Sequence, residues 1–595
     1  MSDKSYFQKT PVRAESRVVR QQESARSACG HAPVPRFTPA QPGETSSNPL
    51  PAGAVFAVVL AVCLGISPPA VQAVNPSVVD TNLAVRTVVT NLDQPIAMAF
   101  LGPDDFLVTE KASGKVKHVV NGVVAATALD LNVNSASERG LLGIALHPRF
   151  KHNHLVYLYW TESSTNRDST VTAEVGNPNS PYPPGTPQPL GNRVDRFVWD
   201  AATESLTFDG NLITLHAYQA DAGQPLRGNH NGGLIRFEER QDDGDRNGDR
   251  NDNNGQGKHR GWNKDNDRGK HRGRADDNDP ARLFIIIGDN GRRGVMQNLI
   301  NGPFGPGIPD DQFGGPEPDN NHLTGVVLRL NDDGTTPEDN PFFDLGAALG
   351  GEEGANIQRV FAYGIRNSFG LAVDPWTGQL WESENADDAF DEMNRIEAGH
   401  NGGWIQIMGP AERVSQFKAI ETTPAFFGLQ QIRWSPTNIA DTASAALARL
   451  VMLPGAHYAD PEFSWKYALA PAGIGFMRDK SLGKEYDGDL FVGASRTFLA
   501  NGYLFRFKFT RDRLHFALAD PRLADLVADS TNKFDITESE SLLFGSGFGI
   551  GTDVESGPSG NLFVVSTTDG AVYEVYRVAK DPDRDEGAGH RRDKH

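Results

Sequence analysis

Short apolar runs, each introduced by a turn of Pro, Asp, Asn or Gly, recur along most of the chain. Gly102-Pro103-Asp104-Asp105 precedes Phe106-Leu107-Val108, and Lys151-His152-Asn153-His154 precedes Leu155-Val156-Tyr157-Leu158-Tyr159. Asp374-Pro375-Trp376-Thr377-Gly378 leads into Gln379-Leu380-Trp381, and Tyr486-Asp487-Gly488 into Asp489-Leu490-Phe491-Val492. Gly557-Pro558-Ser559-Gly560 opens Asn561-Leu562-Phe563-Val564-Val565, while a sixth run, Leu283-Phe284-Ile285-Ile286-Ile287, follows a long polar insert. Another apolar stretch stands upstream of most copies, such as Ile96-Ala97-Met98-Ala99-Phe100 or Gly233-Leu234-Ile235-Arg236-Phe237. Runs this short, bounded by turn formers, predict strands. Six look-alike strand–turn–strand units predict an all-β chain, a six-bladed β-propeller of four-stranded antiparallel blades with long loop insertions. The irregular spacing argues against a fixed-period repeat of the WD type, and a β-sandwich would not show six similar hairpins.

The predicted propeller spans residues 74–578. Within it, residues 238–282 are nearly all Asp, Asn, Gly, Lys and Arg, with Lys258-His259-Arg260-Gly261 echoed by Lys270-His271-Arg272-Gly273. A segment with so few apolar side chains cannot offset its ordering entropy, which predicts a disordered insert; the tail 579–595 reads the same way. One helix is predicted from Thr442 to Met452, inside a long excursion between Trp404 and Phe463 that decorates one face.

Residues 1–73 read as targeting sequence. A polar leader with Arg13, Arg17, Arg20, Arg26 and Arg36 precedes the apolar run Ala52 to Ile66, which Ser67-Pro68-Pro69 ends. That run is short for a membrane span and fits a signal h-region, with Val71-Gln72-Ala73 as the cleavage site. Export to the periplasm or the extracellular space is the expectation, an uncleaved N-terminal membrane anchor the alternative.

Composition narrows the function. The chain has 62 Gly and 38 Pro, suited to many tight turns, and a formal net charge of −19 that argues against nucleic acid as a partner. Its two cysteines, Cys29 and Cys63, both precede the propeller, so disulfides, thiolate catalysis and sulfur-based zinc sites are excluded there.

Four clusters carry candidate chemistry: Glu138-Arg139-Gly140-Leu141-Leu142-Gly143; Asn229-His230-Asn231-Gly232-Gly233 with Gly288-Asp289-Asn290-Gly291; Gly325 to Asn331 with Asp333-Gly334 and Asp339-Asn340-Pro341; and Tyr363-Gly364-Ile365-Arg366-Asn367 followed by Glu384-Asn385-Ala386-Asp387 and Asp391-Glu392-Met393-Asn394. His230 sits at a glycine-rich turn entering a strand. An imidazole suits removal of a hydroxyl proton; the structural alternative is a satisfied turn histidine. Arg366 leaves an apolar strand and must be solvated or paired, either stabilising growing negative charge on a ligand or bonding Asp374 or Glu384. Glu384, Asp387, Asp388, Asp391 and Glu392 crowd into one short loop, whose repulsion a divalent cation would relieve unless the loop is simply exposed to water.

In order and spacing these clusters resemble the glucose/sorbosone dehydrogenase family, whose soluble members use pyrroloquinoline quinone (PQQ) to oxidise aldoses. The resemblance implies that His230 is the base taking the proton from the anomeric hydroxyl, with Asp289 orienting it. It implies that Arg366 and Asn367 face the quinone, and that the carbonyls of Ala386 and Asp387 bind a calcium ion touching the cofactor, with Asp391 and Glu392 bracing the loop. An aldose and an external electron acceptor are the implied partners. The match departs at Glu138 and Phe369, where the glucose dehydrogenases have Gln, and at Arg496, where they have Lys. An Arg pair expected before Asp553-Val554 is replaced by Ile550-Gly551-Thr552, leaving Arg292, Arg293 or Arg496 to substitute. The alternatives are a non-enzymatic calcium-binding propeller that recognises a glycan or protein, and a metal-dependent lactonase. A lactonase wants metal-facing carboxylates on several blades, and one concentrated acidic loop does not supply them.

Overall fold

A computed structural model describes residues 75–183, 185–218, 226, 228–239, 279–291, 323–424, 436–496 and 501–579. The leader, the insert from 240 to 278 and the tail from 580 lie outside the described residues, as do Arg292 and Arg293.

Six sheets form, one per repeat. Their first strands are Pro95–Gly102, Leu141–Leu146, Leu234–Phe237, Ser368–Val373, Pro471–Phe476 and Gly551–Ser556. Each of these touches the next in turn and the last touches the first, so they line the centre of a closed ring of blades numbered one to six. Every apolar run that follows a turn, or the insert, in the sequence lies in the second strand of its blade, from Asp105–Glu110 in blade one to Leu562–Ser566 in blade six. Four antiparallel strands make the body of each blade. Three blades carry more: Ser77–Val78 pairs with Leu543–Ser546 in blade five, Val527–Ala528 adds in parallel to blade four, and His400–Asn401 and His457–Tyr458 add in parallel to blade three. These additions depart from uniform four-stranded blades because the long excursions return to pair at an outer edge. Such an edge otherwise exposes unpaired N–H and C=O groups.

Closure comes from the ends of the chain. Leu83–Val89 pairs with Ala571–Arg577, so an early strand completes the last blade. The core is divided among the six blade interfaces. Blades four and five, for example, bury Trp381, Met393, Phe463 and Trp465 against Leu490, Val492 and Phe505. Each fully buried large side chain of this kind stabilises by roughly 1.5–3 kcal/mol. Gly143 is required where blade two meets blade three, because a Cβ there would run into the Gly233 carbonyl.

The excursion after Trp404 packs on its own apolar cluster, including Phe390, Ile405, Met408, Phe417 and Leu450. Its predicted helix is shorter than expected, Ala443–Leu447, with Thr442 Oγ1 accepting from the Ala445 N–H as N-cap. Pro454 disfavours helical backbone at Leu453, and the chain leaves the helix before reaching it. A second helix, Val414–Glu421, had no clear sequence signal. Among the described residues no helix is long and apolar enough to cross a membrane.

Candidate active site

The registers place the candidate residues at one end of the ring. Leu234 pairs with Ile286, so His230, just before the inner strand of blade three, lies beside Asp289, just after the second strand. Ser368 pairs with Glu384, which sets Arg366 and Asn367 beside the loop Asn385–Asp388 in blade four. Glu138 occupies the corresponding entry to blade two.

These residues are joined directly. His230 Nδ1 and Asp289 Oδ1 are 2.6 Å apart, with both side chains almost wholly buried. Asp289 Oδ1 also accepts from the Gly291 N–H at 2.7 Å, and Oδ2 accepts from Trp404 Nε1 at 2.9 Å. A carboxylate fixed at both oxygens holds the imidazole's Nδ1, which leaves Nε2 as the nitrogen not engaged by Asp289. His230 has φ +56°, a left-handed turn conformation that aims the ring from a position few residues adopt. Glu138 Oε2 accepts from the His230 backbone N–H at 2.6 Å and from Asn367 Nδ2 at 3.1 Å, tying blades two, three and four together.

Arg366 neither pairs with Asp374, which bonds Arg513 at 2.7 Å, nor directs its guanidinium to Glu384. Its backbone N–H donates to Glu384 Oε1, while Nη1 donates to the Asn385 carbonyl at 2.7 Å and Nη2 lies 3.3 Å from Asp387 Oδ1. Its guanidinium stacks 5.6 Å over the Trp404 ring. Two buried polar atoms in this cluster have no hydrogen-bond partner among the described residues: Arg366 Nε, a donor, and Asn367 Oδ1, an acceptor. Buried polar atoms left unpaired are costly, and a ligand bearing a carbonyl oxygen and a hydroxyl or N–H satisfies both. A quinone with a sugar beside it fits that donor set.

Behind Arg366 lies an acidic core. Asn394 Nδ2 donates to Glu392 at 2.9 Å, Glu382 at 3.3 Å and Glu384 at 3.4 Å, all buried. Burial pushes the Glu382 carboxyl up to about 7 and Glu392 up to about 8. Burial, with those two neighbours, holds Glu384 well above its ordinary range.

The loop expected to bind calcium is braced from within. Asp391 Oδ1 accepts from the Ala386 N–H at 2.7 Å, and Oδ2 accepts from Leu469 and Ala470 at 2.5 and 2.6 Å. Glu392 Oε1 accepts from Gly409. The Asp387 carbonyl, one of the two expected calcium ligands, accepts from Lys533 Nζ at 3.0 Å, and Lys533 also pairs with Asp388. Asp387, Asp388 and Glu421 have carboxylate oxygens within 4.8 Å of one another. Arg496 is exposed, its guanidinium 5.5 Å over Tyr503. Thr552, in the position of the expected arginine clamp, has Oγ1 within hydrogen-bond reach of the Pro95 and Val565 carbonyls.

Sequence reasoning missed Trp404 and Lys533. Trp404 follows a Gly402-Gly403 turn that could have marked it as the end of a site loop; Lys533 carries no local signal at all.

The blade entries thus gather a buried His–Asp pair, an arginine and two unpaired polar atoms at one end of the ring. The glucose/sorbosone dehydrogenase family model matches residues 92–179 and 263–425, so the chain is similar to that family over these two segments. It is 25% identical over 335 residues to quinoprotein glucose dehydrogenase B of Acinetobacter calcoaceticus, covering 55% of this chain and 53% of that one. It is 26% identical over 297 residues to the aldose sugar dehydrogenase YliI of Escherichia coli K12, covering 50% and 56%. The chain thus spans about half the length of these two curated relatives. A crystal structure of a glucose dehydrogenase superposes with TM-score 0.50 at 19% identity, over 84% of this chain and all of that one, and shares the fold.

Proposed function

We propose that the protein oxidises aldose sugars at the anomeric carbon with PQQ as cofactor, acting after export, with His230 as the base. The buried His230–Asp289 pair carries this reading: Asp289 holds Nδ1, so Nε2 is the nitrogen that takes the proton from the sugar hydroxyl, and the Asp289 charge stabilises the imidazolium that results. When bound, PQQ supplies the two-electron acceptor for the hydride leaving the anomeric carbon. Arg366 Nε and Asn367 Oδ1 would hold the cofactor and sugar, and the Arg366 guanidinium stabilises negative charge as it develops. An external acceptor must finally remove the two electrons. The reading also needs positive charge at the Asp387 carbonyl, and two cations compete for it: a calcium ion, as the resemblance implies, and the Lys533 ammonium.

The test is dye reduction by the purified protein with PQQ across a panel of aldoses. His230→Asn, which tolerates the left-handed backbone, is expected to lose about 10²–10⁴-fold in turnover while still folding cooperatively. Undiminished turnover in that variant would remove His230 from the mechanism. One observation favours a second reading, a non-enzymatic propeller that recognises a glycan: Ile550-Gly551-Thr552 offers no charge to the cofactor's carboxylates. Failure of PQQ to bind, with retention of the protein on a glycan array, would select it.

A further inference from the structure

The mouth of the ring is crowded with acidic groups, and the chain supplies their counter-charge from its own side chains. Lys533 reaches the loop of blade four from a distant segment: its ammonium donates to the Asp387 carbonyl at 3.0 Å and forms an ion pair with Asp388. Arg366 lies 3.3 Å from the Asp387 carboxylate. The Asp388 side chain is 8% exposed, a degree of burial at which an ionised carboxylate needs a partner.

We propose that the Lys533 ammonium takes the place of the calcium ion at this loop, so that the cofactor is held without a divalent cation. The inference rests on the PQQ reading above and concerns only what neutralises its site. Calcium takes 6–8 oxygen ligands at about 2.3–2.6 Å, and it would need the Asp387 carbonyl as one of them. That oxygen already accepts an ammonium proton, and a divalent ion bonded to it would be held close to a second positive charge. The acids that could complete a calcium shell are engaged as well. Both oxygens of Asp391 accept backbone N–H groups, Glu392 accepts from Gly409 and Asn394, and Glu421 Oε1 accepts from the Asp388 N–H at 3.0 Å. Calcium would therefore have to displace Lys533 and dismantle the loop's own bonds, whereas the ammonium satisfies both the carbonyl and the carboxylate as they stand. A lysine ammonium, a compact charge with three rotatable donors, suits this bridging role.

The experiment uses the full chain, stripped of metal, in three forms: parent, Lys533→Gln and Lys533→Arg. Thermal midpoints are measured in excess chelator and in excess calcium, and PQQ binding is measured by equilibrium dialysis under both conditions. The parent is expected to show the same midpoint in both and less than about a twofold change in PQQ affinity. Lys533→Gln is expected to lose about tenfold or more in affinity in chelator and to regain it in calcium, as the loss of a charge-assisted bond implies. Lys533→Arg, which keeps the charge, is expected to remain independent of calcium. Calcium-dependent PQQ binding by the parent would overturn the proposal. Should PQQ bind under neither condition, the sugar-oxidation reading falls separately, and the midpoints still decide: a calcium-induced rise in the parent as large as in Lys533→Gln overturns the role of Lys533. If Lys533→Gln does not fold, the parent and Lys533→Arg decide alone.

Discussion

Trp404 donates its indole N–H to Asp289 Oδ2 at 2.9 Å from 115 residues further along the chain. That bond fixes the carboxylate oxygen His230 does not use, while the same indole ring lies under the Arg366 guanidinium. Trp404→Phe keeps a ring and removes only the donor. A lost hydrogen bond to a charged group costs about 1.5–3 kcal/mol, so the melting temperature should fall and Asp289 should hold the imidazole less firmly. The expected signature is a kcat about tenfold lower with KM little changed. A variant that melts lower yet turns over normally would reduce Trp404 to a structural role.

Glu138 accepts from two donors on two other blades, the His230 backbone N–H and Asn367 Nδ2. Glu138→Gln keeps an oxygen for His230, and its new amide N–H can serve Asn367 Oδ1, now without a partner, if the Asn367 amide turns over. It should fold and retain most of its stability. Glu138→Ala leaves two donors stranded and should lose about 1–3 kcal/mol, read from denaturant midpoints. Equal losses in the two variants would show that the carboxylate's charge matters and its hydrogen bonds do not.

Much of this was legible in the sequence because it is local. The turn-then-strand signal marked the second strand of five blades and the apolar run after the insert marked the sixth, while His230 and Arg366, at blade entries, lie close to glycines. The additional edge strands His400–Asn401, His457–Tyr458 and Val527–Ala528 were not legible, since two residues carry no periodicity and pair only where tertiary structure brings them. The partners of Trp404 and Lys533 were not legible for a related reason: each lies more than a hundred residues away. The acidic loop from Glu384 to Glu392 was read by its charge, which invites a metal ion. The braces that hold it in shape are backbone N–H groups, and no sequence pattern displays those.

His400 gives a dependence on pH that is separate from catalysis. It is 2% exposed, and neither ring nitrogen has a hydrogen-bond partner among the described residues. Burial pushes its imidazolium down to about 4, His457 and Arg395 add to that, and Glu397 opposes them. The folded pKa lies below the unfolded one, so the unfolded chain binds the extra proton first. Stability from the neutral ring is complete above the unfolded value and is lost as pH falls through the folded one. The loss between about pH 7 and pH 5 should be about 2 kcal/mol. His400→Leu should flatten that part of the profile of melting temperature against pH, and an unchanged slope would assign it to other groups.

The last prediction concerns the insert in blade three. The flanking strands are in register from Leu234 opposite Ile286 to Phe237 opposite Leu283, and the Glu238 N–H donates to the Arg282 carbonyl at 2.8 Å. The hairpin therefore closes on its own ladder at the base of the insert, and nothing in the pairing of these strands requires the residues between. Replacing residues 240–278 with a short Gly-Asn turn should leave the ring intact. Loop-closure entropy grows only as the logarithm of loop length, about 0.6 kcal/mol per doubling, so removing roughly three doublings should stabilise the hairpin by about 2 kcal/mol. The expected outcome is a melting temperature equal to or above the parent's, with dye reduction unchanged. A destabilised deletion variant would mean that the insert makes contacts of its own with the blades, and the expectation of a disordered insert would fail.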